Sequence, residues 1–140
     1  MRRLLILSAL LALLLPASCR RPASDELYSM LDEDGCATFT LDMTDSLEYS
    51  LQLYVFAGEA PRGPVPVQLD YLSPDGKLYR EDIVLSAADD AGAPGHQAAL
   101  VRVLRENFRP VVYGLWEASV RVGDRENISG AGLRLYRNKR

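Results

Sequence analysis

The sequence is poor in the residues that most reaction chemistry needs. Its 140 residues include one histidine, two cysteines and one tryptophan. A zinc site needs several His, Cys or acidic ligands converging on the metal. His96 with one spare cysteine does not make that set, so it reads as a surface histidine. Nucleophilic catalysis wants a Ser or Cys beside an oriented base. His96 is the only obvious base, and no Gly-x-Ser-x-Gly elbow occurs. Carboxylate pairs of the kind that hydrolyse glycosides occur only as sequence neighbours, Glu81-Asp82 and Asp89-Asp90. Neighbours on a strand point to opposite faces, so Glu81 and Asp82 cannot cooperate simply. The chain is read as a non-enzyme, and no cofactor or metal is expected. An excess of positive charge is missing too. Two of the sixteen basic residues and none of the nineteen acidic ones precede Cys19, which leaves the remainder at −5. That is not the basic footprint of a nucleic-acid binder.

The one long apolar run is also a short one. Met1-Arg2-Arg3 gives a positive start, and Leu4 to Leu15 contains only Leu, Ile, Ala and one Ser. As a helix it reaches about 18 Å, well short of the roughly 30 Å needed to span a membrane. A charged start, a short apolar stretch and small residues before a cut make residues 1–18 a secretory signal peptide. Leu15-Pro16-Ala17-Ser18-Cys19 resembles a bacterial lipobox, whose cysteine receives a diacylglycerol before cleavage. Lipidation is therefore expected at Cys19. Several acyl chains (palmitate among them) on one residue give stable anchoring, because each buried CH₂ contributes about 0.8 kcal/mol. Arg20 stands where an Asp would favour retention at the inner membrane. The expected address is the bacterial outer membrane, lipid-anchored and facing the periplasm.

The remaining 122 residues suit one domain, with close to two-thirds of its unfolded surface buried. After lipidation Cys36 is the only thiol left, which rules out an intramolecular disulfide. It is expected to pack as a small buried hydrophobe. Residues 19–35 read as the lipidated cysteine and a polar tether, with Tyr28, Met30 and Leu31 its only large apolar side chains.

From residue 36 the pattern has period two, the sign of half-buried strands. Ala37, Phe39, Leu41 and Met43 alternate with polar residues. After a turn at Thr44-Asp45-Ser46, so do Leu47, Tyr49, Leu51, Leu53 and Val55. Tyr54 and Phe56 make the opposite face apolar too. That fits a central strand covered on both sides, or an exposed aromatic patch. Pro61, Gly63, Pro64 and Pro66 suggest a loop running into an edge strand. Ser73-Pro74-Asp75-Gly76 is a turn in which Pro sets the second position and Gly permits the left-handed exit. It joins the strand through Val65, Val67, Leu69 and Tyr71 to a hairpin partner at Leu78 to Leu85. Residues 97–109 are ambiguous. Leu100, Leu104 and Phe108 fall at helical spacing, yet no cap residue precedes them and Ala99, Val101 and Val103 fit a strand. Consistency with the rest favours the strand. Trp116, Ala118, Val120 and Val122 alternate with Glu117, Ser119 and Arg121, and Ile128 to Tyr136 closes the chain. The expected fold is an all-β, antiparallel β-sandwich of about seven strands over residues 36–140, Ig-like or jelly-roll-like.

Smaller signals remain. Asp32, Asp34, Asp89 and Asp90 have the oxygen chemistry of Ca²⁺ ligands, without EF-hand spacing. Asn127-Ile128-Ser129 matches an N-glycosylation acceptor, read as chance in a bacterial chain. Asp45-Ser46-Leu47 resembles the O-glycosylation acceptor of Bacteroidetes envelope proteins, with Ser46 the modified residue. Arg134, Arg137, Lys139 and Arg140 form a basic, solubilising end.

In the C-terminal half, Phe108 to Val122, with Gly114-Leu115-Trp116-Glu117, is followed by Ile128-Ser129-Gly130-Ala131-Gly132-Leu133-Arg134-Leu135. This resembles the closing strands of the gliding-motility lipoproteins of the GldH type from Bacteroidetes. Phe39, the Tyr49-Leu51-Leu53 strand and the Ser73-to-Gly76 hairpin fall in compatible order. The resemblance spans about residues 36–137. It implies an accessory component of a gliding or type IX secretion complex, with protein partners in the envelope and no catalytic residues to carry over. The alternative is a glycan- or ligand-binding lipoprotein, with Tyr54, Phe56 and Trp116 as its ligand or partner face.

Overall fold

The structure, a computed structural model, describes residues 23–59, 61, 63–90, 98–123 and 127–138. Residues 1–22, where the signal peptide and the lipidation of Cys19 are expected, lie outside the described residues, as do His96, Lys139 and Arg140. No helix of the described residues is long and apolar enough to cross a membrane.

Eight strands follow one another: β1 (Ser24–Met30), β2 (Cys36–Met43), β3 (Glu48–Ala57), β4 (Val65–Leu72), β5 (Leu78–Leu85), β6 (Ala98–Phe108), β7 (Gly114–Val122) and β8 (Ile128–Asn138). They form two four-stranded antiparallel sheets packed as a sandwich. The first has the order β1-β8-β3-β6 and the second β2-β7-β4-β5. The pairs β1·β8, β2·β7, β3·β6 and β4·β5 nest inside one another. The chain is thus one long hairpin, folded at Ser73–Gly76 and rolled up, which is the jelly-roll arrangement. Of the two sandwich topologies expected, this one is realised.

Alternation in the sequence becomes alternation of burial. Tyr49, Leu51, Leu53 and Val55 of β3 face Leu41, Leu69, Trp116 and Val120 of the second sheet in one continuous core. The innermost turn has the expected chemistry. Gly76 N–H donates to the Ser73 carbonyl at 3.0 Å, and Gly76 takes a left-handed φ of 88° that disfavours any residue with a Cβ.

Three expectations need correction. The 19–35 tether is not all tether, since Ser24–Met30 pairs along β8 as an edge strand with Leu27 turned toward the core. The strand entered through Pro66 is interior, between β5 and β7, and β5 is the edge. Pro66 is tolerated there because it sits where β4 enters, just before the β7 register begins at Val67, and its carbonyl still accepts from Gly123 N–H at 2.9 Å. Cys36 is half-buried rather than buried, and its Sγ accepts from Arg121 Nε at 3.2 Å. Residues 98–108 form the expected strand, since Leu100, Leu104 and Phe108, four apart, satisfy its two-residue period as well as helical spacing. The register shifts once between Tyr49 and Leu51 and again between Leu51 and Gln52, and Asn107 adopts φ 49°.

Charged side chains close both open sides of the sandwich. Between β5 and β6, Arg102 Nη2 pairs with Asp89 Oδ2 at 2.7 Å and donates to the Val84 carbonyl at 2.9 Å. Arg105 Nη1 reaches Glu81 at 3.1 Å. On the β1 side, Arg137 pairs with Asp25.

Candidate functional site

Strand parity sorts the three aromatic residues expected to share a face. Tyr54 and Phe56 are on β3 and point to the outer face of the first sheet. Trp116 is on β7 of the second sheet and points inward, 7% exposed. Its Nε1 donates to the Val112 carbonyl at 2.8 Å, and its ring lies 5.8 Å from that of Tyr79. The face of Tyr54, Phe56 and Trp116 therefore does not exist as a unit. Trp116 was grouped by residue type, whereas its alternation with Glu117 already placed it in the core.

The third aromatic of the outer face is Tyr28, from the stretch read as tether. Tyr28 lies level with Gly132 of β8 and Tyr54 of β3, and Met30 lies level with Gly130 and Phe56. Two glycines in the strand between leave room on the sheet for the rings. A Cβ on Gly130 would collide with the Tyr28 ring. Tyr28 meets Phe56 edge-on with centroids 5.3 Å apart, and Phe56 lies nearly parallel to Tyr54 at 6.5 Å. Tyr28 is 57% exposed and Met30 72%, so this is an open shelf. The signal that marks it in the sequence is the spacing of Tyr28 and Met30 about the inward Leu27.

A polar network borders the rings. Arg134 stacks over Tyr54 at 4.7 Å from the ring centroid, pairs with Glu26 at 2.7 Å and donates to Tyr136 Oη at 2.9 Å. The bond to Tyr136 holds the guanidinium's pKa above its ordinary value, against the opposing effect of burial. Tyr54 Oη donates to Gln52 Oε1 at 3.0 Å. Burial pushes the Tyr54 phenol up to about 12, and the Arg134 charge offsets part of that rise. Over Gly132, Tyr28, Tyr54, Phe56 and Arg134 enclose a shallow pocket of about 130 Å³. Beyond Gln52 the same face continues into a recess of about 300 Å³ lined by Ser50, Gln52, Glu106, Asn107 and Tyr136. Rings, amides, hydroxyls and the Glu106 carboxylate thus lie side by side on one sheet.

The acidic residues do not converge. Asp32 Oδ1 accepts from the backbone N–H groups of Asp34 and Cys36, each at 2.9 Å, and so closes the β1–β2 turn. Asp89 is committed to Arg102, which holds its carboxyl below the usual carboxylate range. Among the described residues no three His, Cys, Asp or Glu side chains are grouped to hold a metal ion. Ser46 is exposed in the β2–β3 turn, and Ser129 Oγ donates to the Phe56 carbonyl at 3.2 Å beside the shelf.

No family model matches the chain, and no curated protein does. One solved structure with some likeness is that of infectious bursal disease virus Gt strain, at 12% identity and a TM-score of 0.19. The alignment covers 85% of this chain and 36% of the viral one, and it bears on neither fold nor function.

Proposed function

We propose that this chain is a lipid-anchored protein of a bacterial outer membrane, facing the periplasm, whose work is recognition. The outer face of the first sheet is its saccharide-binding surface. One observation carries the reading: Tyr28, Phe56 and Tyr54 form an exposed aromatic shelf that runs into a recess of amides and hydroxyls. Ring faces suit the C–H faces of a sugar, and a few convergent polar groups supply orientation. Gln52, Asn107 and Tyr136 match sugar hydroxyls without demanding a charge. The lipobox at Cys19 supports the anchor and the address. The test is a glycan array probed with the full chain, followed by titration of any hit against Tyr28→Ala. The reading expects saturable binding that falls at least about tenfold in the variant, the equivalent of about 1.4 kcal/mol. An array with no signal would sink it.

A second reading keeps the anchor and exchanges the ligand for a protein. In it the chain is an accessory component of a gliding or type IX secretion complex, as the resemblance of residues 108–135 suggests. The edge strand β1, with Tyr28 and Met30 exposed along it, is a surface that a partner strand or loop can cover. Affinity purification of the lipidated protein from its own envelope separates the two readings. Co-purifying secretion or motility proteins favour the second, and a protein that comes down alone removes it.

A further inference from the structure

A separate cavity of about 300 Å³ lies between the two sheets at the end closed by residues 109–113. Trp116, Phe108, Leu51 and Met43 give it apolar and aromatic walls. Arg105 and Arg109 line it as well, and no Asp or Glu does. These two side chains are 55% and 58% exposed, which puts their charges at the mouth. Arg105 is only partly engaged. Among the described bonds its Nη1 alone donates, to Glu81 Oε1 and to the Leu104 carbonyl, which leaves Nε and Nη2 for an incoming oxygen. Tyr71 also lines the cavity, and its buried hydroxyl has no hydrogen-bond partner. An unpaired buried hydroxyl is costly, and a ligand or a water can relieve that cost. This volume lies at the small end for ligand sites, and apolar walls with a few placed polar groups are their usual make-up.

We propose that this cavity binds a medium-chain carboxylate, with its alkyl tail against Trp116 and its carboxylate on Arg105 at the mouth. The apolar walls select the tail. Arg109 is paired with Glu48 at 3.4 Å, so the free Nε and Nη2 of Arg105 select an anionic head over a neutral one. The site is distinct from the aromatic shelf and does not depend on what binds there.

The chain has a single tryptophan, so its emission reports on this cavity directly. The full chain, held in amphipol with amphipol alone as the blank, is titrated with decanoate below its micelle-forming concentration. Decan-1-ol is the neutral comparison. The expected result is a saturable change in Trp116 emission with decanoate and a response at least about tenfold weaker with decanol, since a charge-assisted hydrogen bond is worth that much. Arg105→Gln, which leaves the walls intact, weakens decanoate to the level of decanol. Tyr71→Phe removes only a hydroxyl and weakens decanoate severalfold. Absence of any saturable change overturns the proposal. So does equal binding of acid and alcohol, or decanoate affinity unaltered in Arg105→Gln.

Discussion

The guanidinium of Arg137 lies on the inner side of β8 and is held there by the carboxylate of Asp25 on β1. The arginine side chain is 5% exposed and Asp25 28%, so the pair is largely withdrawn from water. It joins the first strand to the last. The pairing with Asp25 keeps the Arg137 pKa above its ordinary value. Reading residues 134–140 as a solvated basic end does not hold for Arg137.

Replacing Asp25 with Ala removes the ion-pair partner of a buried cation. The expected cost is about 3 kcal/mol of unfolding free energy, read from the urea midpoint. Combining it with Arg137→Met is expected to restore part of that loss, because an apolar pair of similar volume carries no desolvation penalty. A double variant no more stable than Asp25→Ala would contradict this account.

The two glycines under the shelf are expected to respond differently to alanine. A Cβ on Gly132 would stand 2.5 Å from the Leu27 carbonyl oxygen, which belongs to the β1 backbone. Gly132→Ala is therefore expected to cost about 1–3 kcal/mol and to raise hydrogen exchange along β1. A Cβ on Gly130 meets only the end of the Tyr28 side chain, which can swing away. Gly130→Ala should leave the thermal midpoint nearly unchanged while weakening whatever the shelf binds.

Stability should fall in acid, partly through Asp89. Its folded pKa is depressed, chiefly by the hydrogen bond from Arg102. The stabilisation is present in full above the unfolded aspartate value of about 3.9 and is lost as pH falls through the folded value. Asp89→Asn should be less stable than the parent at pH 7. Their unfolding free energies should converge as the pH drops below that window. Parallel curves down to the acid limit would show that Asp89 is not a source of the dependence.

At the alkaline end, absorbance of the phenolates at 295 nm separates the tyrosines. Burial raises the pKa of Tyr71 strongly and that of Tyr54 to about 12. Both are expected to ionise above the ordinary tyrosine range. Because the unfolded chain ionises first, the stability they contribute is full below about pH 10 and is lost as pH rises through their folded values. Tyr54→Phe should remove one late-titrating phenol.

The elements legible in the sequence were those whose inward residues are apolar and whose neighbours are local. β2, β3, β7 and β8 alternate cleanly, and Pro74 with Gly76 announces the β4–β5 hairpin. β1 was illegible for a physical reason. Its inward residues include a charge, Asp25, which is acceptable only because Arg137 lies opposite, more than a hundred residues along the chain. β6 was ambiguous because Leu100, Leu104 and Phe108, four apart, satisfy both the helical and the two-residue period. The shelf was legible in two of its three rings, since Tyr54 and Phe56 break the alternation of β3. Tyr28 was hidden with its strand.

The nested pairing has a consequence for how the molecule assembles. Only β4·β5 joins strands separated by a tight turn, so closure entropy favours that hairpin first and each outer pair later. The strand made first by the ribosome, β1, can dock only after β8, made last, has emerged. Until then the Leu27 edge of the sheet has no cover. Any truncation that removes β8 therefore disarms both ends of the chain at once, and with them the ground on which Tyr28 rests.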